Sequence, residues 1–224
     1  MGGARGIVSS DKNVKTIKDL KGKTIGIGAR GGLGDSLVRI LLKNNGLDPK
    51  KDVKIVYTQS SKNTTLFLLK GKIDCGVLSE PRISMALKKA KSLPSNKQPH
   101  KLFFNLNLLD AWKDTFHTKT SFAQVGFLAV GESIKNKKLI QRFVQEYKKA
   151  LKWYVSNPKK SAKLTAKHLK NLHPKAILNG IKNSNFYILE SSKEKETMKV
   201  LLNTLVKSNP KSMGNKAPDD GFYF

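Results

Sequence analysis

The 224-residue sequence has one cysteine, Cys75. A single cysteine excludes an internal disulfide and any metal site built from a cysteine cluster. Its apolar neighbours mark it as a small buried residue rather than a nucleophile. Long apolar runs are also absent. Nothing approaches the roughly eighteen residues of a membrane span, and the opening Met1-Gly2-Gly3-Ala4-Arg5-Gly6 has no secretory-signal core. The four histidines, His100, His117, His168 and His173, form no i, i+4 pair and have no carboxylate at motif spacing. No Gly-x-Ser-x-Gly elbow occurs. These gaps remove the common hydrolytic and metal-dependent chemistries, and no cofactor is expected.

Acids are scarce: 16 against 43 basic residues, a formal charge of +27. Such a balance first suggests a nucleic acid or another polyanion. Arginine, however, is nearly absent, with only Arg5, Arg30, Arg39, Arg82 and Arg142. Base-edge readers rely on the guanidinium fork, which lysine does not supply. The lysines are spread along the whole chain. This reads as a solvated lysine surface with no specific nucleic-acid partner; polyanion binding stands as the alternative.

What the sequence does have is strand–helix alternation. Strands are expected at Lys23–Gly28, Val53–Thr58, Ile73–Leu78 and Leu102–Leu106, with a further one at Phe122–Val130. Between them fall helices at Asp35–Asn45, Asn63–Lys70 and Arg82–Lys91, the last started by Pro81. This spacing implies βαβ units and a mostly parallel sheet. Leu93-Pro94-Ser95-Asn96 reads as a loop. From Leu139 onward the pattern turns helical, with Leu139, Phe143, Tyr147, Leu151 and Tyr154 on one face. Asn157-Pro158 and His173-Pro174 start two more helices. Ser191 and Glu194 suggest a capping box before a last one.

The glycine turn Gly26-Ile27-Gly28-Ala29-Arg30-Gly31-Gly32-Leu33-Gly34 lies between the first of these strands and its helix. Gly26, Gly28 and Gly31 spell a dinucleotide fingerprint, but that site needs an acid at the end of the second strand. The second strand ends Tyr57-Thr58-Gln59-Ser60-Ser61, with no acid, which disfavours a nucleotide. In a parallel sheet, ligands sit outside the carboxyl ends of the strands. Three such ends carry polar groups and should share one rim. They are Gly28–Ser36, Gln59–Ser61, and Ser79-Glu80-Pro81.

Three segments, in order, carry a family resemblance: Ile17–Gly26, Asn45–Val53 and Gly71–Pro81. Each resembles the matching element of bacterial ABC-transporter solute-binding proteins of the nitrate/taurine/sulfonate type. The resemblance implies a type II periplasmic-binding-protein-like α/β lobe with a mostly parallel sheet, followed by a helical C-terminal region belonging to an incomplete first lobe. It divides the chain into a first-lobe remnant strand and hinge (1–12), a second lobe (13–128), and a return crossing with C-terminal helices (129–224). Such proteins carry most of a first lobe ahead of the matching point, so this chain reads as lacking it. The implied function is capture of a small solute between two lobes and delivery to ABC permease subunits, on the outer side of a bacterial membrane. The ligand-binding residues it suggests are Gly31, Gly32, Gly34, Asp35, Ser36, Gln59, Ser60, Ser61 and Glu80. Asp35 and Glu80 would repel an anion, so the solute stays open between an anion and a heteroaromatic precursor. The same fold also occurs in an enzyme that makes the thiamine pyrimidine. That relative relies on a cysteine-rich motif which this sequence does not have.

Overall fold

The structure is a computed structural model that describes residues 4–94, 101–118, 124–184, 186–188, 190–191 and 193–223. Its short apolar runs pair into one five-stranded sheet. The strands are β1 (Arg5–Ser9), β2 (Thr24–Ile27), β3 (Lys54–Tyr57), β4 (Cys75–Ser79) and β5 (Phe103–Asn107), in the order β3-β2-β4-β1-β5. Neighbours β3, β2 and β4 are parallel. β1 runs antiparallel to both β4 and β5, so four of the five strands share one direction. The expected mostly parallel α/β sheet is therefore present.

Within the segment expected to be a remnant strand and hinge (1–12), β1 lies in the middle of this sheet, with Ile7 opposite Val77 on one side and Leu106 on the other. Its run Gly-Ile-Val is apolar on both faces, as a strand covered above and below requires. Gly6 is needed there because Leu106 and Phe104 fill the space a side chain would take.

Alternation along each strand sends successive side chains to opposite faces. Ile7 and Val77 join Ile25, Ile27 and Leu106 beneath helices α1 (Leu33–Asn44) and α4 (Leu108–Phe116). Val8 and Leu78 turn the other way, under α2 (Ser61–Leu69) and α3 (Arg82–Lys91). The result is a helix–sheet–helix sandwich. Trp112, 1 % exposed, anchors α4; burying a side chain of that size contributes about 1.5–3 kcal/mol. Helix α4 went unrecognised in the sequence although Leu108, Trp112 and Phe116 recur at four-residue steps. Asn107 caps it by accepting the Leu109 N–H at 2.9 Å.

After α4 the chain departs from expectation. The strand at Phe122–Val130 is not formed: Phe122 and Ala123 lie outside the described residues, and 124–130 is irregular. Among the described residues no strand runs beside it, and Val125, Phe127, Leu128 and Val130 are exposed. A β-rich run cannot become a strand without a neighbour to take its N–H and C=O groups. The helices that follow are as expected: α5 (Lys137–Ser156), α6 (Pro158–His168), α7 (Pro174–Asn183) and α8 (Lys195–Ser208). The Ser191 capping box is not what starts α8. The helix begins at Lys195 with Glu194 at its N-cap and no side-chain cap bond. Helix α7 docks on α3, where Gly180 leaves room for Pro81. Helix α5 has no buried residue at all. Among the described residues no helix is long and apolar enough to cross a membrane.

Candidate functional site

Because β2, β3 and β4 are parallel, their carboxyl ends meet at one edge of the sheet. The antiparallel β1 begins at that same edge, with Arg5 opposite Ser79. The three polar strand ends expected to share a rim therefore do so, and a fourth element joins them.

The turn after β2 is compact. Gly31 takes φ +71°, a conformation that favours glycine, and donates its N–H to Asp35 Oδ2 at 2.8 Å. Gly32 is the N-cap of α1 and offers no side-chain cap. The Ser36 N–H is committed to the Gly32 carbonyl at 3.0 Å. Among the described residues that leaves the Leu33, Gly34 and Asp35 N–H groups as the open donors of the first turn. Gly28 packs against the backbone of Ser60 and Ser61, where a methyl group would stand 3.2 Å away. This contact joins the first strand end to the second.

The side chains expected at the ligand divide into two groups. Asp35 is 4 % exposed and fully engaged inside the protein. Besides Gly31, its carboxylate accepts from Arg39 Nε at 2.8 Å and from the Tyr57 hydroxyl at 3.0 Å. Ser60 caps α2, its Oγ accepting the Asn63 N–H at 3.1 Å. Glu80 caps α3 through the Ser84 N–H (3.1 Å) and hydroxyl (2.9 Å), and it accepts from Asn183 of α7 at 3.0 Å. These three groups hold the frame. Gln59 and Ser61 are exposed at the rim, and Gln59 takes φ +67°, uncommon for a non-glycine residue.

Arg5 was not among the expected site residues. Its Nε donates to Gln124 Oε1 at 3.2 Å. A methyl group on Gly34 would lie 3.2 Å from its Nη1, so the guanidinium rests against the first turn of α1. Among the described residues no carboxylate stands within ion-pair distance of it, and burial pushes its pKa below the ordinary value. A cation and a helix N-terminus repel each other. Finding them side by side, with Arg5 in no ion pair among the described residues and the Asp35 carboxylate of that turn engaged by Gly31, Arg39 and Tyr57, describes a place where negative charge is favoured. A signal was available in the sequence, since Arg5 is one of only five arginines, but its position required the reversed direction of β1.

Among the described residues the cysteine and the histidines stand apart from one another. Cys75 is fully buried, and burial pushes its thiol to about 11. His117, His168 and His173 stand at three separate helix ends, and His100 lies outside the described residues. No group of three metal-ligating side chains occurs among the described residues.

The fold matches those of periplasmic binding proteins. An ABC transporter protein from Parabacteroides distasonis superposes with a TM-score of 0.72 at 21 % identity, over 99 % of this chain and 70 % of its own. The periplasmic aliphatic sulphonate binding protein SsuA of Escherichia coli gives 0.70 at 18 %, over 95 % and 66 %. The ligand-binding component of an ABC-type import system from Staphylococcus aureus, solved with zinc bound, gives 0.62 at 18 %, over 100 % and 69 %. This chain thus spans about two thirds of their length. Curated protein sequences gave no significant match. The NMT1/THI5-like family model matches residues 5–161, from Arg5 through the glycine turn and the sheet into α6, and by that match the chain belongs to the NMT1/THI5-like family.

Proposed function

We propose that this chain is the solute-binding component of an ABC importer, working outside the cytoplasmic membrane, and that its solute is a small organic anion. The observation that carries the reading is Arg5, a half-buried guanidinium with no carboxylate partner among the described residues, beside the uncapped first turn of α1. The open N–H groups of Leu33, Gly34 and Asp35 would bind one end of the anion, and Arg5 would supply its counter-charge. The Gly31–Ser36 turn shapes the seat. Gln59, with Ser60 and Ser61, borders it, and Glu80 fixes the third side. The sequence objection to an anion was the charge of Asp35 and Glu80. Both carboxylates are taken up by internal donors, which weakens that objection. The relatives described as sulphonate-binding and as ABC import components support the same reading.

Calorimetric titration with ethanesulfonate, nitrate and a neutral aminopyrimidine tests it. Saturable binding of an anion is expected, abolished by Arg5→Gln and partly kept by Arg5→Lys, with unchanged far-ultraviolet dichroism. Binding of the pyrimidine alone, or anion binding indifferent to Arg5→Gln, would overturn it.

A further inference from the structure

A second basic feature lies away from the rim. Strand β3 is an edge of the sheet, paired only with β2 among the described residues. An open groove of about 690 Å³ follows it, lined from the loop before β3 to Tyr57 at its far end. In β3 the Lys54 N–H is bonded to β2, as is that of Thr58 just beyond its end. Ile55 and Tyr57 alternate with these, so their N–H and C=O groups face the open side.

The groove gathers five cations: Arg30, Arg39, Lys50, Lys51 and Lys54. Two of the chain's five arginines are here. Only Arg39 has a carboxylate in ion-pair range among the described residues. Its guanidinium is held by Asp35 and by the Tyr57 hydroxyl at 2.7 Å, which fixes its remaining donors in place. Arg30 lies over the Tyr57 ring, 4.5 Å from its centroid. The one acid in the lining, Asp52, accepts the Asp48 N–H at 2.7 Å and lies 4.0 Å from Lys21. Positive charge is therefore in excess along an unpaired strand edge.

We infer that this groove is a docking site for an acidic peptide in extended conformation, added as a sixth strand along β3. Unpaired main-chain groups at an edge offer register, and the alternate side chains of the guest offer specificity. Lysine on an edge strand blocks pairing between copies of a basic protein by like charge. The same charge attracts a strand carrying glutamate or aspartate at alternate positions, which rise toward Arg30 and Arg39 on the face that Ile55 and Tyr57 share, while Lys54, on the opposite face, adds attraction at longer range. A groove that is long and open suits a strand better than a compact solute, which needs enclosure.

The test is fluorescence anisotropy of a labelled Glu-Val-Glu-Val-Glu-Val peptide in 0.15 M NaCl. Saturable binding is expected, weakened at least tenfold by Arg30→Glu and severalfold by Lys54→Glu. An equally charged Glu-Pro-Glu-Pro-Glu-Pro peptide, deprived of alternate N–H donors, is expected not to bind. Equal binding of the proline peptide would reduce the groove to a nonspecific anion patch and overturn the inference. Absence of saturable binding would do the same. Ethanesulfonate titration of Lys54→Glu, expected to match the unchanged chain, separates this site from the rim.

Discussion

The Tyr57 hydroxyl donates to Asp35 Oδ2 at 3.0 Å, tying the end of an edge strand to the first turn of α1. Arg39 reaches both partners, so a carboxylate, a phenol and a guanidinium close a triangle. Asp35→Asn would set an amide N–H against donors and leave Arg39 without its counter-charge. The expected loss is about 2–3 kcal/mol, against about 1 kcal/mol for Tyr57→Phe. Urea unfolding of both variants checks the order.

Gly34→Ala separates the proposed seat from the fold. The new methyl group would sit 3.2 Å from Arg5 Nη1 and 3.3 Å from Val77 Cγ1. Arginine can swing aside, and alanine favours the helix, so stability should change by less than about 1 kcal/mol. Ethanesulfonate binding should nonetheless fall at least fivefold, because the displaced guanidinium no longer flanks the open N–H groups. Paired calorimetry and thermal melts read the two effects.

Acid should loosen the contact between α5 and the segment before α8. Glu190 accepts from Lys148 at 2.6 Å and is paired with Lys193 at 2.8 Å. Hydrogen bonds from these lysines, Lys148 first, lower its pKa to about 2. A depressed carboxylate contributes stability above its ordinary value of about 4.3. That contribution is lost as pH falls through about 2. Carboxyl-selective NMR titration should find the low value, and Lys148→Met should move it upward.

The apolar side of α5 should matter for association and hardly for stability. Eleven of the twelve large hydrophobic residues that are exposed among the described residues fall within 125–169. Phe127 packs edge-on against Phe143 and Tyr147, with centroids 5.1 and 4.5 Å apart, yet Phe143 stays 47 % exposed. Leu139→Gln is expected to cost under about 0.5 kcal/mol while reducing binding of a hydrophobic dye. Leu41→Ala, in the core, should cost about 2–5 kcal/mol. Dye fluorescence together with urea unfolding separates the two.

Strands β2, β3 and β4 were legible because each is a short apolar run that gives way to turn residues, Gly28 after β2, Gln59-Ser60-Ser61 after β3 and Pro81 after β4. The ends of β2, β3 and β4 therefore fell within a residue or two of where periodicity put them. Phe122–Val130 has the same composition and fails as a strand, because composition does not reveal whether a neighbour exists to pair with. Asp35, Ser60 and Glu80 were legible as polar residues at strand ends. Their hydrogen bonds were not, since a carboxylate at a helix start can face a ligand or its own backbone, and only the fold decides. Arg5 was hidden for a topological reason: a strand's direction is no property of its residues.

The position of β1 also has a consequence for how the chain acquires its form. Arg5–Ser9 must settle between two strands that come much later, with Gly6 opposite Leu78 on one side and Asn107 on the other. Loop closure over such separations is slow, and it precedes any gain from the contacts made. During synthesis Arg5–Ser9 leaves the ribosome well before both of its neighbours in the sheet and must wait for them. An apolar Ile-Val segment stays uncovered until residue 107 has emerged, an interval in which a holding chaperone would have most to do.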